Sequence, residues 1–525
     1  MRSKSFCCIV TLFAVAGYVP AQETIAKSKI VSVGLFKNGL AVVKREVLIA
    51  KDGTYRLDAS PEPVHGSFWI ESAGRVEAAV KMRDVEVPLH AEGGMRLQHD
   101  LAGKMVTLTF RNDKLGSVTG TLVKLAKPEL PEGTMPGERV NPSQEQFLVL
   151  KTAKGRLYIN PHDVMMIQTD DADDKIMQRR PVLILTVEKS AKKPAVYVSY
   201  LTSGLAWAPS YRVDISNAKS LAIEMAAVVR NEMADLDGAE IKLISGFPSV
   251  EFANVTSPLS AHTTWTKFFQ EITTGSRAPS HDLFNQRLAN VSYQQESFRP
   301  KLDLGAIPAG EGVDLHFESI GKRSLLRDEA ISVHVGNAKA DYERVIDWTV
   351  GTSSVARKYT GGGDQRKDEM WDVLLFKNPF QFPMTTAPAM VVENGRFNGQ
   401  RTAYWTNVGE EAALKVTKSL SIRAVSREQE DGKANERVVV DDKNYTKIYL
   451  KGELTMSNHR KQAVKMLVRH SIRGIISEID GTPKTTTREE SLESVNRITD
   501  AVWTVTLNPG EEKKLTYKNS VLVYR

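Results

Sequence analysis

An acidic run is the first feature of this sequence with side chains suited to chemistry. Asp170, Asp171, Asp173 and Asp174 lie within five consecutive positions. Carboxylate oxygens are the ligands that calcium prefers, so calcium is the one metal or cofactor that the sequence suggests. The run lacks the twelve-residue spacing and the glycine of a dedicated calcium loop. A solvated turn is therefore the interpretation that we favour, with calcium as the alternative.

Two aromatic residues are the second candidate. Trp207 and Tyr211 stand in a strand-like segment and could offer flat rings for the stacking of sugars. Stacking of this kind requires an exposed ring face. Aromatic side chains in a β-sandwich more often supply buried area, so we predict that both rings pack in a core.

No other motif indicates a catalytic centre. The ten histidines are scattered, with no pair at i, i+2 or i, i+4, so the local signature of a zinc site is missing. The sequence has neither a Gly-x-Ser-x-Gly elbow nor a phosphate-binding Gly-x-x-x-x-Gly-Lys-Ser/Thr loop. The sequence does not exclude a hydrolase that uses two carboxylates from different strands, because any two of the 63 acidic residues could form the pair.

The composition is that of a soluble globular protein. Of 525 residues, 41% are hydrophobic and 25% are charged, which excludes a disordered, collagenous or many-spanning membrane protein. The formal net charge of +7 is spread without long basic runs. We therefore expect no nucleic-acid partner.

The amino terminus has the pattern of a secretory signal. Arg2 and Lys4 precede an apolar run from residue 6 to residue 19, and Val19-Pro20-Ala21 offers small residues for cleavage before Gln22. We predict a signal peptide at 1–21 and export to the periplasm or the extracellular space, with no transmembrane span in the mature chain. The two cysteines, Cys7 and Cys8, would leave with the signal, and a disulfide or a thiolate nucleophile would then be excluded.

The rest of the chain reads as mainly β, in several domains. Two strand-like runs in residues 30–50 flank Lys37-Asn38-Gly39, which predicts a hairpin with positive φ at both Asn38 and Gly39. We predict four domains: an N-terminal β domain at 22–95, a small SH3-like or Sm-like barrel of five short strands at 97–169, a β-sandwich at 176–350 and a C-terminal β-sandwich at 364–525. A polar insertion at 254–300 interrupts the third, with one short helix expected around 282–290.

Residues 197–248 resemble a bacterial family known as domain of unknown function 4139, whose members include proteins described as mucoidy inhibitors. The features that match are Trp207, Pro209, Tyr211, Asn231 and Asp235, followed by the segment at 245–248. Further similarity lies at 378–400 and in the closing segment from 507, so that the resemblance covers roughly residues 180–525. Leu236 stands where members commonly have tryptophan, and the small barrel at 97–169 replaces a coiled coil that many of them carry.

The resemblance implies a role in the cell envelope and supplies no reaction. We expect an exported binding or scaffolding protein that contacts envelope glycan or envelope protein. The alternative is a polysaccharide hydrolase that uses two carboxylates from different strands.

Overall fold

The computed structural model describes residues 23–88, 97–112, 114, 116–125, 147–170, 175–188, 195–246, 250–275, 315–351, 369–489 and 495–524. The predicted signal peptide at 1–21, the helix expected around 282–290 and three of the four aspartates of the acidic run (171, 173 and 174) lie outside these residues. These predictions stay predictions.

Strands make up nearly all of the regular structure, which confirms the mainly β, multi-domain class. The strands before residue 246 are β1 Thr24–Ile25, β2 Ser28–Leu35, β3 Leu40–Leu48, β4 Gly53–Leu57, β5 Trp69–Glu71, β6 Arg75–Pro88, β7 Met105–Phe110, β8 Ser117–Leu122, β9 Leu148–Thr152, β10 Gly155–Ile159, β11 Val164–Thr169, β12 Lys175–Glu188, β13 Ala195–Ser203, β14 Leu205–Asp214, β15 Ser220–Asn231 and β16 Leu236–Ser245.

The later strands are β17 His316–Leu325, β18 Ala330–Thr349, β19 Glu369–Lys377, β20 Ala387–Glu393, β21 Arg396–Ala403, β22 Glu411–Lys418, β23 Ile422–Glu430, β24 Glu436–Val440, β25 Lys443–Asn458, β26 Val464–Arg473, β27 Ile475–Ile479, β28 Lys484–Arg488, β29 Ile498–Leu507 and β30 Glu512–Tyr524. The helices are α1 Leu97–Asp100, a 3₁₀ turn at Pro161–Asp163 and α2 Trp265–Gly275. No helix in the described ranges is long and apolar enough to cross a membrane.

The chain divides into two compact units. The first comprises residues 1–33, 42–202 and 250–277, and the second comprises residues 34–41, 203–249 and 278–525. This division does not decide the four predicted domain boundaries, which stay predictions.

The predicted hairpin between β2 and β3 is present, with one difference in its turn. Gly39 has a φ of 89°, whereas Asn38 is not in the left-handed region. The turn is closed by the amide of Phe36, which donates to the carbonyl of Leu40 at 2.9 Å. The Asn38 side chain accepts from the amide of Leu40 at 3.2 Å, so a single glycine is enough to reverse the chain.

Three groups of strands form the first unit. One sheet has the order β1-β4-β12-β6, another the order β10-β9-β8-β7-β11, and β2, β3, β13 and β5 lie side by side in a third. The five strands β7–β11 match the five predicted for 97–169, and they enclose a core of their own around Leu108, Leu122 and Leu150. Among the described residues β10 and β11 end this sheet on opposite sides, so the closure of a barrel stays a prediction.

Part of the predicted insertion packs into the first unit. Thr256 forms a β-bridge with Val64, and the amide of His65 donates to the carbonyl of Val255 at 2.7 Å. Helix α2, which the sequence analysis did not predict, buries Phe268 against the ring of His65 at a centroid distance of 4.8 Å. Residues 250–275 therefore contribute core as well as surface.

The second unit contains a β-sandwich. A ten-stranded sheet includes β18, β26 and β29, and a five-stranded sheet includes β23, β25 and β30. Trp348 and Trp503 from the first sheet share one buried cluster with Met456 and Tyr517 from the second. The long strand β18 pairs with β15 through its first half and with β19 and β26 through its second half.

A repeated corner closes three strand pairs of this unit: β15 with β18, β19 with β22, and β25 with β30. In each corner a buried asparagine ends the first strand or directly follows it, and a glutamate precedes the second strand. The backbone N–H of the asparagine donates to the backbone carbonyl of the glutamate. The glutamate carboxylate accepts from the backbone N–H of the residue three positions before it. We call these the Asn–Glu corners: Asn231 with Glu329, Asn378 with Glu410, and Asn458 with Glu511.

Candidate functional site: the aromatic outer face of the N-terminal sheet

The two aromatic residues of the sequence prediction lie in the core of the second unit. Trp207 is 3% exposed, and its indole nitrogen donates to the carbonyl of Ile244 at 3.2 Å. Tyr211 is 2% exposed, and its hydroxyl donates to the carbonyl of Thr385 at 3.0 Å. Burial raises the pKa of this hydroxyl, so it stays neutral. Neither ring has an exposed face on which a sugar could stack.

The structure describes only one of the four aspartates in the acidic run at 170–174. Asp170 is exposed, at the end of β11, while the other three aspartates lie outside the described residues. Within the described ranges no group of three potential ligands is placed to hold a metal ion. The calcium hypothesis for Asp170, Asp171, Asp173 and Asp174 stays a prediction.

Lys37, in the turn between β2 and β3, is a half-buried cation. Its ammonium donates to the hydroxyl of Thr385 at 2.7 Å and to the carbonyl of Thr386 at 3.1 Å. Burial lowers the pKa of Lys37 to about 8, because the charged form loses water. Two strong acceptors hold the amine in place, so we interpret Lys37 as an anchor of the turn.

Exposed aromatic residues instead mark the outer face of a sheet in the first unit. Strand β13 lies between β3 and β5, with Tyr197 opposite Glu71 and Ser199 opposite Trp69. Opposite residues of an antiparallel pair project to the same side of the sheet, and so do residues two apart on one strand. These four side chains therefore share one face, and Trp69 is 69% exposed on it.

A polar network surrounds the two rings. The ammonium of Lys44 lies 2.7 Å from a carboxylate oxygen of Glu71 and 4.7 Å from the centroid of the Tyr197 ring. The hydroxyl of Ser199 lies 3.5 Å from Glu71, and the hydroxyl of Tyr197 lies 3.5 Å from a carboxylate oxygen of Glu46. The hydrogen bond from Lys44 holds the pKa of Glu71 below its usual range, so this carboxylate stays ionised.

We call this surface the aromatic outer face: Lys44, Glu46, Trp69, Glu71, Tyr197 and Ser199. Its flatness follows from the strands beneath it, because side chains alternate between the two sides of a sheet. Val43 and Val47 on β3 and Val196 and Val198 on β13 are at most 1% exposed on the opposite side. Packing on that side holds the strands in register and presents the outer face as a rigid surface.

Helix α2 exposes a second aromatic pair in the same unit. Trp265 is 59% exposed and Phe269 is 58% exposed, and their ring centroids lie 5.7 Å apart. Residues at i and i+4 meet on one side of a helix, while Phe268 between them points into the core. Trp265 and Phe269 thus add two exposed aromatic side chains to Trp69, on a different element of the same unit.

Comparison with known proteins gives no relative from which a function could be transferred. No protein-family model matches the chain, and no curated protein matches it in sequence. The family resemblance at 180–525 is therefore a proposal. The function has to be inferred from the geometry of the site.

The sequence carried a weak signal for Trp69 that motif analysis missed. Trp69 and Glu71 alternate with the half-buried Ile70, so a period of two places the indole beside a carboxylate. An aromatic residue that shares its face with a charged one is expected on the solvent side of a strand. Trp207, by contrast, alternates with buried neighbours on a strand whose inner positions are apolar.

Proposed function

We propose that this chain is an exported protein of the cell envelope that binds glycan, without cleaving it, through the aromatic outer face. The observation that carries the proposal is the exposed indole of Trp69 within a network of hydrogen-bonding groups. Export rests on the N-terminal pattern of basic, apolar and small residues.

The chemistry of a sugar ring suits this surface. A pyranose has an apolar face of C–H groups and a rim of hydroxyls. An indole offers a large flat apolar surface that can cover the apolar face of the sugar. Lys44, Glu71 and Ser199 supply donors and acceptors beside the ring for the hydroxyls. Lys44 and Glu71 neutralise one another, so this pair adds no net charge beside the indole.

The resemblance to the family supports the fold more than the chemistry. Asn231, Asn378 and the segment that begins at residue 507 are among its matching features, and all three belong to Asn–Glu corners. These residues hold strand ends together. We therefore propose membership of the family for the second unit and take the proposed binding site from the first unit alone.

The hydrolase alternative has one specific pair of carboxylates on this surface, Glu46 on β3 and Glu71 on β5. A glycosidase of this type needs one carboxyl with a raised pKa to protonate the leaving oxygen. The pKa of Glu71 is lowered by Lys44, so Glu71 is unsuited to be that acid. An ionised Glu71 could still be the base or nucleophile of such a pair, so the preference for binding without cleavage rests on the exposed indole of Trp69 and its polar neighbours.

The test is a binding measurement on residues 22–525 with oligosaccharides of N-acetylglucosamine and with soluble peptidoglycan fragments, by calorimetry. Trp69→Ala removes the platform and is expected to weaken binding about 10-fold to 100-fold, the equivalent of burying one large apolar side chain. Tyr158→Ala is the matched control, because Tyr158 is 63% exposed on another sheet of the same unit. Both variants are expected to melt like the wild type, since exposed positions contribute within about 0.5 kcal/mol.

Two results would contradict the proposal. One is the absence of binding to either class of glycan, and the other is equal binding by Trp69→Ala and the wild type. Shortened oligosaccharides after long incubation would establish the hydrolase alternative. Loss of that cleavage in Glu71→Gln would assign it to this surface.

A further inference from the structure

Three cations converge on one tryptophan in the second unit. Trp371 lies on β19, with Lys418 directly opposite on the neighbouring strand β22. The guanidinium carbon of Arg401, on β21, lies 4.0 Å from the centroid of the Trp371 ring. The ammonium groups of Lys415 and Lys418 lie 5.3 Å and 5.5 Å from the same centroid.

None of these cations has a carboxylate partner among the described residues. This sets them apart from two cations on strand β26 of the same sheet, which are ion-paired. Arg469 lies 3.0 Å from Asp347, and Lys465 lies 2.8 Å from Glu343. Within the described part of the chain, the positive charge around Trp371 is thus left without a carboxylate, whereas Arg344 on the neighbouring strand β18 lies 2.8 Å from Asp372.

Bringing these three charges together has an electrostatic cost. Each lies within 5.5 Å of one point, so their mutual separations are on the order of one Debye length, ~10 Å at physiological salt. The negative face of an indole offsets part of the repulsion, because its quadrupole attracts cations. A bound anion would offset the rest.

The state of Trp371 determines what kind of ligand this cluster can recognise. The residue is 6% exposed, and the guanidinium of Arg401 lies over its ring. A sugar or a nucleobase cannot stack on a ring that is already covered, so recognition here must act through charge. A guanidinium that lies over an indole still has N–H donors for a carboxylate, sulfate or phosphate.

We propose that Arg401, Lys415 and Lys418 form an oxyanion-binding site that Trp371 preorganises. The group it takes is a carboxylate, a sulfate or a phosphate, borne on an acidic polysaccharide or free in solution. The site lies in a different unit from the aromatic outer face and does not depend on the function proposed for that surface.

The experiment measures binding of residues 22–525 to polygalacturonate, a uronate polymer, and separately to inorganic phosphate and sulfate. The site variant carries Arg401→Gln, Lys415→Gln and Lys418→Gln. The control variant changes three ion-paired lysines of the same unit to glutamine, Lys447, Lys514 and Lys518, and so loses the same net charge. Both variants are first checked for wild-type melting.

The wild type and the control variant are expected to bind with similar affinity. The affinity of the site variant is expected to be weaker by about tenfold or more for each cation removed. Binding should also weaken as salt is raised, and this dependence should be shallower in the site variant. Polymer binding without binding of the inorganic ions identifies a polysaccharide as the source of the oxyanion, and the reverse identifies a free ion. The proposal is overturned if neither probe binds, or if the site and control variants lose affinity equally. Trp69→Ala, in the other unit, should bind polygalacturonate like the wild type.

Discussion

His470 is a titratable side chain enclosed in the sandwich of the second unit. Its Nε2 lies 2.8 Å from the hydroxyl of Tyr517, which in turn donates to a carboxylate oxygen of Glu428 at 2.9 Å. The hydroxyl proton of Tyr517 is donated to Glu428, so the Tyr517 oxygen can only accept from His470. Nε2 of His470 is therefore protonated and donates to that oxygen. Burial lowers the pKa of His470 to about 4, although the charge of Asp500 opposes the shift. The imidazole is therefore neutral at pH 7.

The stability of the second unit should depend on pH through this residue. The unfolded chain takes up a proton on His470 near pH 6.5, whereas the folded chain does so near pH 4. The free energy of unfolding therefore falls as the pH drops through this interval, by about 3 kcal/mol in total, and does not change on this account above pH 7. Urea midpoints between pH 7 and pH 4.5 would show the slope.

His470→Gln is the comparison for this measurement, because glutamine keeps an N–H donor and does not titrate. Between pH 7 and pH 4.5 the free energy of unfolding of this variant is expected to fall less than that of the wild type, because the contribution of His470 is missing. Parallel slopes for the variant and the wild type would show that the imidazole is not held neutral.

Among the elements, the Asn–Glu corners explain how separate strands become fixed pairs. In the corner of Asn378 the side-chain amide donates to the carbonyls of Phe382, Thr406 and Asn407, at 3.0 to 3.2 Å. Its carbonyl oxygen accepts from the amide of Phe380 at 3.0 Å. One buried side chain thus satisfies backbone groups on both sides of the corner, where strands end and ladder bonds stop. The same arrangement at three strand pairs gives the second unit an internal structural repeat.

Asn378→Ala should destabilise this corner strongly. It removes the donor to the carbonyl of Phe382 and the acceptor for the buried amide of Phe380. Each such group costs about 1–3 kcal/mol when it is left unpaired, so we expect a loss of about 2–4 kcal/mol in the free energy of unfolding. Asn407→Ala is the matched control, since Asn407 belongs to the same corner with an exposed side chain, and we expect it to stay within about 1 kcal/mol of the wild type. Denaturant unfolding measures both. Equal effects of the two variants would show that the asparagine is dispensable.

At the scale of the whole molecule, the positions of the cysteines make the proposed export measurable. The chain has two cysteines, Cys7 and Cys8, both before the predicted cleavage site at Gln22. A processed chain therefore contains no thiol and can form no disulfide, so its stability rests on non-covalent packing in both units.

The chain expressed with its N-terminal segment in a bacterial host should be recovered from the envelope fraction with Gln22 as its first residue. Intact mass and thiol titration test this directly, with no reactive thiol expected per chain and no effect of a reducing agent on the melting temperature. Replacing Ala21 with a bulky residue, Ala21→Trp, should block processing and serves as the control. Two thiols per chain in the wild type would refute the prediction.

The mainly β class and many of the strands could be predicted from the sequence, because side chains alternate with a period of two wherever one side of a strand is buried. The hairpin at Gly39 and the five strands at 105–169 followed from the same local pattern. Burial could be predicted for Trp207 and Tyr211, since aromatic rings in apolar strands supply core area.

Which polar and aromatic residues meet was decided by tertiary structure. Lys44, Glu71 and Tyr197 are far apart in the chain and adjacent on the aromatic outer face, because β13 inserts between β3 and β5. Arg401 reaches Trp371 from a different strand, and each Asn–Glu corner joins residues that are 32 to 98 positions apart. Local periodicity encodes the side of a strand on which a residue lies, whereas the pairing of strands depends on the packing of the whole sheet, and sites assembled across strands have no signature in a single sequence.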